Sequence, residues 1–372
     1  MDRFSVVVAG GGVAAIEALL RLRRLAGDAL SLTLLAPNDR FALRALSVKE
    51  PFAMGAAERH DVGRIARDAE AEWVRDTLAW VDPDAQVAHA ADGRELPYDA
   101  LLIAVGARLA PAFDHATTFR DDRADELVGG IVRDVEDGYA KRLAFLAPGG
   151  PAWPLPLYEL ALMSAERAAS SGSADFEAVL VTSEPRPLSG FGEVASAAAA
   201  ELLERSGVTV HAASSAEVPA AGQVHVRPAD VDLAADRVVA LPRMSGPAIR
   251  GLPGAGAHGF VPVDEHCAVR AAGGRVFAAG DATDSPIKHG GLGAQQADQA
   301  AAAIAGLAGV DVDLPPFHPV IRGTLLTGRE PLYMQAHLVG GGSFESEVSD
   351  APLWEPGDKV VADELGAYLR RG

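Results

Sequence analysis

Two short glycine-containing segments hold the residues of this chain whose types and spacing suggest chemistry. The first is Gly10-x-Gly12-x-x-Ala15, which follows an apolar run rich in valine and precedes a helical pattern. In such a turn the first glycine permits a tight bend, the second lets the backbone approach a pyrophosphate, and the alanine keeps helix and strand close. The N–H groups at the helix N-terminus are free to bind an anion. This spacing predicts a dinucleotide-binding turn.

The second segment, residues 276–282, is an apolar strand that ends in Gly280-Asp281. A carboxylate at this point can accept a hydrogen bond from a ribityl hydroxyl, a group that a plain NAD site does not have to recognise. The two segments together indicate FAD as the cofactor.

The composition limits the class of protein. The chain has 372 residues, of which 49% are hydrophobic, and a formal net charge of −18. Its length predicts roughly two to three domains. Nucleic acid and anionic membrane surfaces would repel such a charge, so neither is expected as a partner. Glycines and Glu17 interrupt the apolar N-terminal run, so we expect no signal peptide, no integral membrane segment and a cytoplasmic location.

Cysteine and histidine usage restricts redox and metal chemistry. Cys267 is the only cysteine, which excludes an intrachain disulfide and a Cys-x-x-Cys motif. Asp264 and Glu265 lie close to it in sequence and oppose a thiolate, so we interpret Cys267 as structural. The ten histidines lack ligand spacing such as His-x-x-x-His, and we expect no metal site.

Hydrophobic patterning predicts an α/β fold with two Rossmann-like three-layer dinucleotide-binding domains, the second inserted in the first, and a small C-terminal segment. The predicted strands are residues 30–35, 73–81, 86–90, 98–107, 143–147, 178–182, 208–211, 237–241 and 275–279. The predicted helices are residues 57–71, 157–169, 193–205, 291–307 and 359–371, and residues 38–44 are predicted to form a polar loop. The strands at 237–241 and 275–279 are predicted to return to the first domain.

These elements give four predicted sections of the chain. They are an FAD-binding domain in two parts, residues 1–115 and 241–312, an inserted NAD(P)-type domain at residues 116–240, and a C-terminal cap or interface segment at residues 313–372.

The segments at 10–17, 98–107, 276–282 and 286–297 resemble, in this order, those of the two-dinucleotide-domain flavoproteins related to glutathione reductase, the pyridine nucleotide-disulfide oxidoreductase-like superfamily. Within it, the chain is most similar to the branch of sulfide:quinone oxidoreductase and type II NADH dehydrogenase. The resemblance implies FAD held by the first and third segments, with the Leu78 strand passing the adenine. The residues expected to contact FAD are Gly10, Gly12, Val13, Ala14, Ala15, Pro37, Asn38, Arg44, Leu78, Ala104, Val105, Gly106, Gly280, Asp281, Lys288, Gly290, Gly291 and Leu292.

Two places depart from the pattern of this family. The second strand is followed by Ala36, where the family carries an acid for the adenosine ribose. Either Asn38 or Asp39 substitutes for it, or backbone and water hold the ribose. After the strand at 143–147, residues 148–156 replace a Gly-x-Gly-x-x-Gly turn with a proline-rich loop, and proline has no N–H to offer a phosphate. The use of NAD(P)H is therefore left open.

The same resemblance implies redox cysteines beside the flavin in sulfide:quinone oxidoreductases. This chain has only Cys267. Because a polysulfur chain must be held by cysteine sulfurs in that route, we expect neither sulfide oxidation nor disulfide reduction.

Four residues are candidates for catalysis. Trp153 and Tyr158 either line a substrate pocket beside the flavin or plug the core. Glu159 either relays a proton to flavin N5 or complements the dipole of its helix. Lys288 precedes a glycine pair that resembles the helix N-terminus under the flavin pyrimidine, where an ammonium would stabilise negative charge on reduced flavin. The alternative for Lys288 is a solvated surface charge.

Three functions remain open, and we favour the first. It is an FAD-dependent oxidoreductase that uses flavin N5 for hydride or electron transfer with an unknown substrate. The second is an NAD(P)H-dependent reductase that delivers electrons to a quinone or a ferredoxin, which the βαβαβ insert and Ser183-Glu184 favour. The third is a flavin-binding partner or sensor without turnover. The electron acceptor is a small molecule, a quinone or a protein, and a homodimer is left open.

Overall fold

The N-terminal part of the chain forms one α/β unit. The computed structural model describes residues 3–254, 258–339 and 343–371. The helices of this part are α1 (Val13–Ala26) and α2 (Val62–Asp68). Its strands are β1 (Phe4–Ala9), β2 (Leu30–Leu35), β3 (Arg40–Ala42), β4 (Arg59–Asp61), β5 (Ala71–Val74), β6 (Leu78–Asp82), β7 (Val87–Ala90), β8 (Glu95–Pro97), β9 (Ala100–Ile103) and β10 (Arg108–Ala110).

The middle of the chain forms a second α/β unit. Its helices are α3 (Gly130–Glu136), α4 (Leu155–Ser170) and α5 (Gly192–Arg205). Its strands are β11 (Thr117–Thr118), β12 (Arg142–Leu146), β13 (Glu177–Val181), β14 (Val208–His211), β15 (Ser215–Ala220), β16 (Gln223–Arg227), β17 (Val231–Ala234) and β18 (Arg237–Ala240).

The remaining elements complete the first unit and add a small antiparallel sheet. The helices are α6 (Gly290–Leu307) and α7 (Asp363–Arg371). The strands are β19 (Arg243–Ser245), β20 (Val276–Ala278), β21 (Val320–Leu325), β22 (Leu332–Val339) and β23 (Ser343–Ser349).

The two large sheets have the same strand order. The first runs β20-β9-β1-β2-β5 and the second β11-β18-β12-β13-β14, and all neighbouring strands are parallel. Helices α1 and α4 follow the equivalent central strands β1 and β12. Parallel pairing requires crossovers that cover both faces of a sheet, which is why β9 is buried along its whole length. The predicted fold class of two Rossmann-like domains is confirmed.

The second sheet lies, in sequence, between β9 and β20 of the first. The chain leaves the first unit through β10 and returns through β19, and these two strands pair antiparallel. The arrangement is an insertion, as predicted. The section boundaries at residues 115, 240 and 312 stay predictions.

Several element predictions were wrong. The strand at 237–241 does not return to the first sheet, because β18 pairs with β12 and β11 in the second. A fully buried apolar strand has the same pattern in either sheet, so only the tertiary path selects its neighbours. The helix predicted at 57–71 is shorter: Asp61 accepts a hydrogen bond from the N–H of Arg64 and thereby caps α2. Residues 59–61 instead form β4, which pairs with β3 inside the predicted polar loop.

The C-terminal sheet packs on the second unit and is attached to α6. A Cβ on Gly323 in β21 would lie 2.4 Å from Cζ of Phe191, so only glycine allows this approach. Gln295 of α6 holds the same strand: its amide donates to the carbonyl of Val320 (2.8 Å) and accepts from the Val320 N–H (3.0 Å). Among the described helices, none is long and apolar enough to cross a membrane.

The last helix begins at Asp363 rather than at the predicted residue 359. Glu17 of α1 is fully buried, and its carboxylate accepts hydrogen bonds from the N–H groups of Glu364 (2.9 Å) and Leu365 (2.6 Å). These are orphan donors of the first turn of α7, so Glu17 caps a helix almost 350 residues away in sequence. Burial raises the pKa of Glu17 to about 7, and burial with the nearby Glu17 charge raises that of Asp298 to about 8.

This cap predicts a pH dependence of stability. Because the pKa of Glu17 is raised from 4.5, the folded chain holds the proton more tightly than the unfolded chain. The contribution is fully present below pH 4.5 and is lost as the pH rises through about 7. We expect the unfolding temperature to fall over this range, and to fall less in Glu17→Gln. Thermal unfolding across pH measures it. The exposed Glu201→Gln variant should keep the parent slope, and an unchanged slope in Glu17→Gln contradicts the assignment.

Candidate cofactor site

The carboxyl ends of β1, β9 and β20 meet at one edge of the first sheet, and the first predicted turn lies there. Gly10 follows β1 with φ +137°, and a Cβ on it would lie 2.1 Å from the carbonyl oxygen of Ala104. Its N–H donates to the carbonyl of Leu35 (2.9 Å). Only glycine fits such a close approach of two backbones. The turn is thus fixed against the segment after β9, where Val105 is exposed.

Gly12 immediately precedes α1 and borders open space. Its φ is −96°, and a Cβ on it would meet no atom within 4 Å. No side chain caps this helix N-terminus, and no acid lies in its first turn, which includes Val13, Ala14 and Ala15. The first N–H groups of a helix have no partner within the helix, and the helix dipole favours an anion beside them. The open side of Gly12 therefore suits a pyrophosphate.

The second predicted segment packs directly on the first. Gly280 has φ +74°, and a Cβ on it would lie 3.2 Å from Cβ of Ala14. A Cβ on Gly293 of α6 would in turn lie 3.0 Å from Cα of Gly280. The N–H of Gly280 donates to Oε1 of the buried Gln296 (2.8 Å). Three small residues thus bring α1, the Gly-Asp loop and α6 together.

Asp281 lies in this loop among several charges. Burial raises the pKa of Asp281, and Asp121 raises it further, whereas Lys288 and Arg44 act to lower it. Arg44 pairs with Asp121, with 3.5 Å between Nη1 and Oδ1. The structure therefore brings Arg44 and Asp281, predicted from distant parts of the sequence, into one electrostatic environment. Asp121 was not predicted, because it lies in a linker without a motif.

The end of β2 is less well matched to the expected ribose site. Ala36 is buried, and its carbonyl accepts a hydrogen bond from the indole N–H of Trp73 (3.0 Å). Pro37, Asn38 and Asp39 are exposed beyond it, and the Asp39 carboxylate lies 3.7 Å from the Arg75 guanidinium. An acid that could serve the ribose, Asp39, is therefore present, but it lies beyond the end of β2.

Two of the residues expected to contact FAD, Leu78 and Lys288, contact other parts of the protein instead of lying at the open edge of the sheet. Leu78 begins β6 and packs against the hydrophobic cluster that contains Val7 and Leu35, on one face of the first sheet. Lys288 is 2% exposed, so its interpretation as a solvated surface charge is wrong. Its Nζ donates to the carbonyl of Thr283 (2.5 Å) and lies 3.8 Å from the ring centroid of Phe260. Burial lowers the pKa of Lys288 to about 8 against the opposing charges of Asp281 and Asp284.

His289 caps the N-terminus of α6 and was not predicted. Its Nδ1 accepts a hydrogen bond from the N–H of Leu292 (3.3 Å). Burial, with a smaller effect of Lys359, lowers the pKa of His289 to about 4, so the ring is neutral near pH 7. The ring of Trp153 lies 4.3 Å from that of His289 and 5.3 Å from that of Phe191, centroid to centroid. The position of His289 directly before a glycine-rich helix start is the sequence feature that could have indicated its capping role.

The C-terminal segment before α7 covers the N-terminus of α6. A Cβ on Gly290 would lie 3.4 Å from Cγ1 of Val360 and 3.9 Å from Cγ2 of Val13. A Cβ on Gly291 would lie 3.4 Å from the carbonyl oxygen of Val361. The two predicted glycines therefore lie between the C-terminal segment and the start of α1.

Glu159 forms a buried ion pair with Lys359, which is close to it in space but distant in sequence. Nζ of Lys359 lies 2.5 Å from Oε1 of Glu159, which also accepts the N–H of Leu326 (3.1 Å). The side chains of the pair are 1% and 8% exposed, and among the described atoms Oε2 of Glu159 has no hydrogen-bond partner. Burial raises the pKa of Glu159 and lowers that of Lys359. No local pattern predicts Lys359, since the contact spans 200 residues.

Tyr158 belongs to a separate hydrogen-bond network. Its hydroxyl donates to Oε2 of Glu184 (2.7 Å), which also accepts from the hydroxyl of Thr182 (3.2 Å). Tyr158 is fully buried in the second unit, which agrees with the core interpretation. The carboxylate of Glu184, proposed as a ribose acid, is occupied by these two hydroxyls.

Cys267 is buried, and burial raises the pKa of its thiol to about 12. A thiol of this kind is unreactive, as predicted. Within the described residues, no group of three or more His, Cys, Asp or Glu side chains could hold a metal ion.

Known proteins resemble this chain in structure rather than in sequence. No protein-family model matches it, and no curated protein matches its sequence. The sulfide:quinone oxidoreductase of the hyperthermophilic bacterium Aquifex aeolicus has a TM-score of 0.80 at 18% identity, covering 93% of this chain and 87% of that one.

Two further structures lie at similar identity. The ferredoxin reductase for the CYP199A2 system of Rhodopseudomonas palustris has a TM-score of 0.65 at 18% identity and covers 90% and 83% of the two chains. The NAD-dependent persulfide reductase of A. fulgidus has a TM-score of 0.64 at 17% identity and covers 91% and 64%. The protein therefore has the fold of these oxidoreductases, with one Rossmann-like domain inserted into another.

Proposed function

We propose that the protein is an FAD-dependent oxidoreductase that does not take its electrons from NAD(P)H. The observation that carries the proposal is the contrast at the first sheet. Gly10 and Gly280 are packed against backbone and Ala14, whereas Gly12 beside them borders open space at an uncapped helix N-terminus. That is the shape a dinucleotide pyrophosphate requires.

The residues at this edge have distinct roles in the proposal. When bound, FAD supplies redox chemistry that protein side chains lack. The N-terminus of α1 holds the pyrophosphate, and Asp281 accepts a hydrogen bond from a ribityl hydroxyl. The N-terminus of α6, at Gly290 and Gly291, favours negative charge on the flavin pyrimidine. Trp153 and Val360 exclude water around this helix start, and the neutral His289 adds no charge there.

The second domain supports an electron source other than NAD(P)H. Its turn after β12 is proline-rich, and Ala152 within it forms a bridge with Ile287 next to α6. Trp153 lies on His289, where a nicotinamide would have to approach a flavin over α6. The acid after β13, Glu184, is occupied by Tyr158. The ribose and the nicotinamide would each lack a place to bind, and the prolines of this turn offer a phosphate no N–H.

Sulfur chemistry is also disfavoured in this proposal. The route of sulfide oxidation expected for the related branch needs cysteine sulfurs beside the flavin. Cys267, the single cysteine, is buried in the core behind the first sheet with a raised pKa. We therefore propose neither sulfide oxidation nor disulfide reduction. The acceptor is a small molecule, a quinone or a protein such as a ferredoxin.

Cofactor content tests the first half of the proposal. We expect the purified protein to be yellow and to release about one FAD per chain on denaturation, because only the turn after β1 has the Gly-x-Gly-x-x-Ala spacing of a dinucleotide site. The absorption spectrum before and after denaturation, with chromatography of the released flavin, measures it. A colourless protein that does not take up added FAD contradicts the proposal.

Anaerobic mixing with NADH and NADPH tests the second half. We expect the oxidised flavin absorbance to persist with either nucleotide and to disappear on addition of dithionite. Bleaching by a nucleotide at a rate that saturates would favour the NAD(P)H-dependent reductase instead. A flavin that no donor and acceptor pair turns over would favour the sensor.

A further inference from the structure

A basic cleft lies far from the proposed FAD site, between the C-terminal half of α1, α2 and α7. It has a volume of about 410 Å³, within the range of small-molecule sites. Arg24 on its wall follows Gly12 by twelve residues of helix, or about 18 Å along the axis. No step of the proposed function uses it.

The charge of the cleft is opposite to that of the molecule. It is lined by four arginines, Arg23, Arg24, Arg64 and Arg371, and by two acids, Asp68 and Glu364, in a chain of net charge −18. The two acids are already engaged. Glu364 pairs with Arg21 and Arg24, and Asp68 accepts the hydroxyl of Tyr368 (2.6 Å) and lies 3.6 Å from Arg64.

Positive charge is left over in the cleft. The guanidinium of Arg23 donates to three backbone carbonyls, those of Ala69, Gly27 and Glu70, which orient it, and its Nη1 lies 3.7 Å from the exposed carboxylate of Glu70. With Glu70 included, four arginines still face three acids. Arg64 has one acid at 3.6 Å, which the hydroxyl of Tyr368 shares. Planar guanidinium groups match the oxygens of phosphate better than a point charge does.

The remaining lining is apolar. Leu20, Ala69 and the ring of Tyr368 complete the wall. A site lined by both guanidinium and apolar groups fits a phosphate-bearing small molecule with a carbon skeleton better than a bare metal ion or another cation.

We propose that this cleft binds a small phosphate-bearing anion, which bridges α2 and α7 across the end of α1. An anion there compensates Arg23 and Arg64 together and ties α7 to the rest of the first domain. The inference does not depend on FAD, because the cleft and the dinucleotide turn lie at opposite ends of α1.

Calorimetric titration of the purified protein at low ionic strength tests the proposal, with inorganic phosphate, pyrophosphate and ADP as separate probes. Saturable binding of pyrophosphate is expected, and Arg64→Gln should weaken it at least about tenfold, the effect of losing one charged hydrogen bond. Arg64→Lys should retain part of it. The three probes distinguish a free phosphate, a diphosphate and a nucleotide as the source of the anion.

The matched control is Arg205→Gln, an exposed arginine of α5 that also pairs with an acid one helical turn away. It should bind pyrophosphate as the parent does. Hydrogen exchange gives a second readout: pyrophosphate should slow the exchange of α7 amides in the parent and not in Arg64→Gln. No saturable binding, or the same loss of affinity in the two variants, overturns the proposal.

Discussion

A Gly12→Val protein should fold like the parent and fail to retain FAD. The backbone at Gly12 has φ −96°, which valine adopts, and its Cβ would enter open space. The same space is where the proposal requires the pyrophosphate. We expect the affinity for FAD to fall at least about a hundredfold, or about 3 kcal/mol. Fluorescence titration of the apoprotein with FAD measures the affinity, and circular dichroism reports the fold.

The second domain supplies a matched control for this variant. Gly149 is the third residue after β12, as Gly12 is the third residue after β1, and a Cβ on Gly149 also meets no atom within 4 Å. Gly149→Val should retain FAD with the parent affinity. Gly10→Ala should behave differently again, losing stability even without FAD, because its Cβ would lie 2.1 Å from the carbonyl oxygen of Ala104. Full FAD affinity in Gly12→Val would refute the proposed site.

Removal of the Lys359 ammonium should produce the largest loss of stability. Lys359→Met leaves the carboxylate of Glu159 buried without its counter-charge, which typically costs about 3–5 kcal/mol. Burial already raises the pKa of Glu159 above 4.5, and loss of the lysine raises it further. The folded variant then binds a proton more tightly than the unfolded one. Its stability is therefore greatest below pH 4.5 and falls as the pH rises through the folded pKa.

Urea unfolding of Lys359→Met at neutral pH and at about pH 5 measures this loss. We expect a smaller defect at the lower pH. The double variant Glu159→Gln/Lys359→Met should recover most of the stability, because the buried charge is gone and a side-chain oxygen remains for the N–H of Leu326. A single variant as stable as the parent at neutral pH would show that the pair contributes nothing to the fold.

The sequence predicted those features that depend on neighbours in the chain. The turn at Gly10 and Gly12, the strand before Gly280 and the helix after Gly290 each follow from a local pattern, and the alternation of strands and helices gave two Rossmann-like domains. Strand β18 was assigned to the wrong sheet because its three buried residues Val238, Val239 and Ala240 fit either one. Helix α2 was predicted to be too long, because the charged residues around it gave no sign that Asp61 caps its N-terminus.

The rest could not be predicted, because it arises from contacts between distant segments. Lys359 was missed since its partner lies 200 residues earlier. For Lys288 a flavin-facing role and a surface charge were both left open, because a lysine alone gives no sign that an aromatic ring and a carbonyl enclose it. The role of Glu17 could not be predicted either, because it depends on a contact with a distant segment. On its own helix it is one acid in an apolar stripe, and only the fold reveals that it caps α7.

The two large sheets have the same strand order, and this has a consequence for the effect of substitutions at their edges. The molecule contains the same strand order twice, and the corresponding edges of the two sheets have different neighbours. At the same edge of the second copy, Phe191 meets Gly323 of the C-terminal sheet and Trp153 meets His289. In the second copy, this edge therefore forms contacts between separate parts of the chain. Substitutions at Phe191 or Gly323 would therefore change the packing between parts of the chain, whereas a side chain at Gly12 would enter open space.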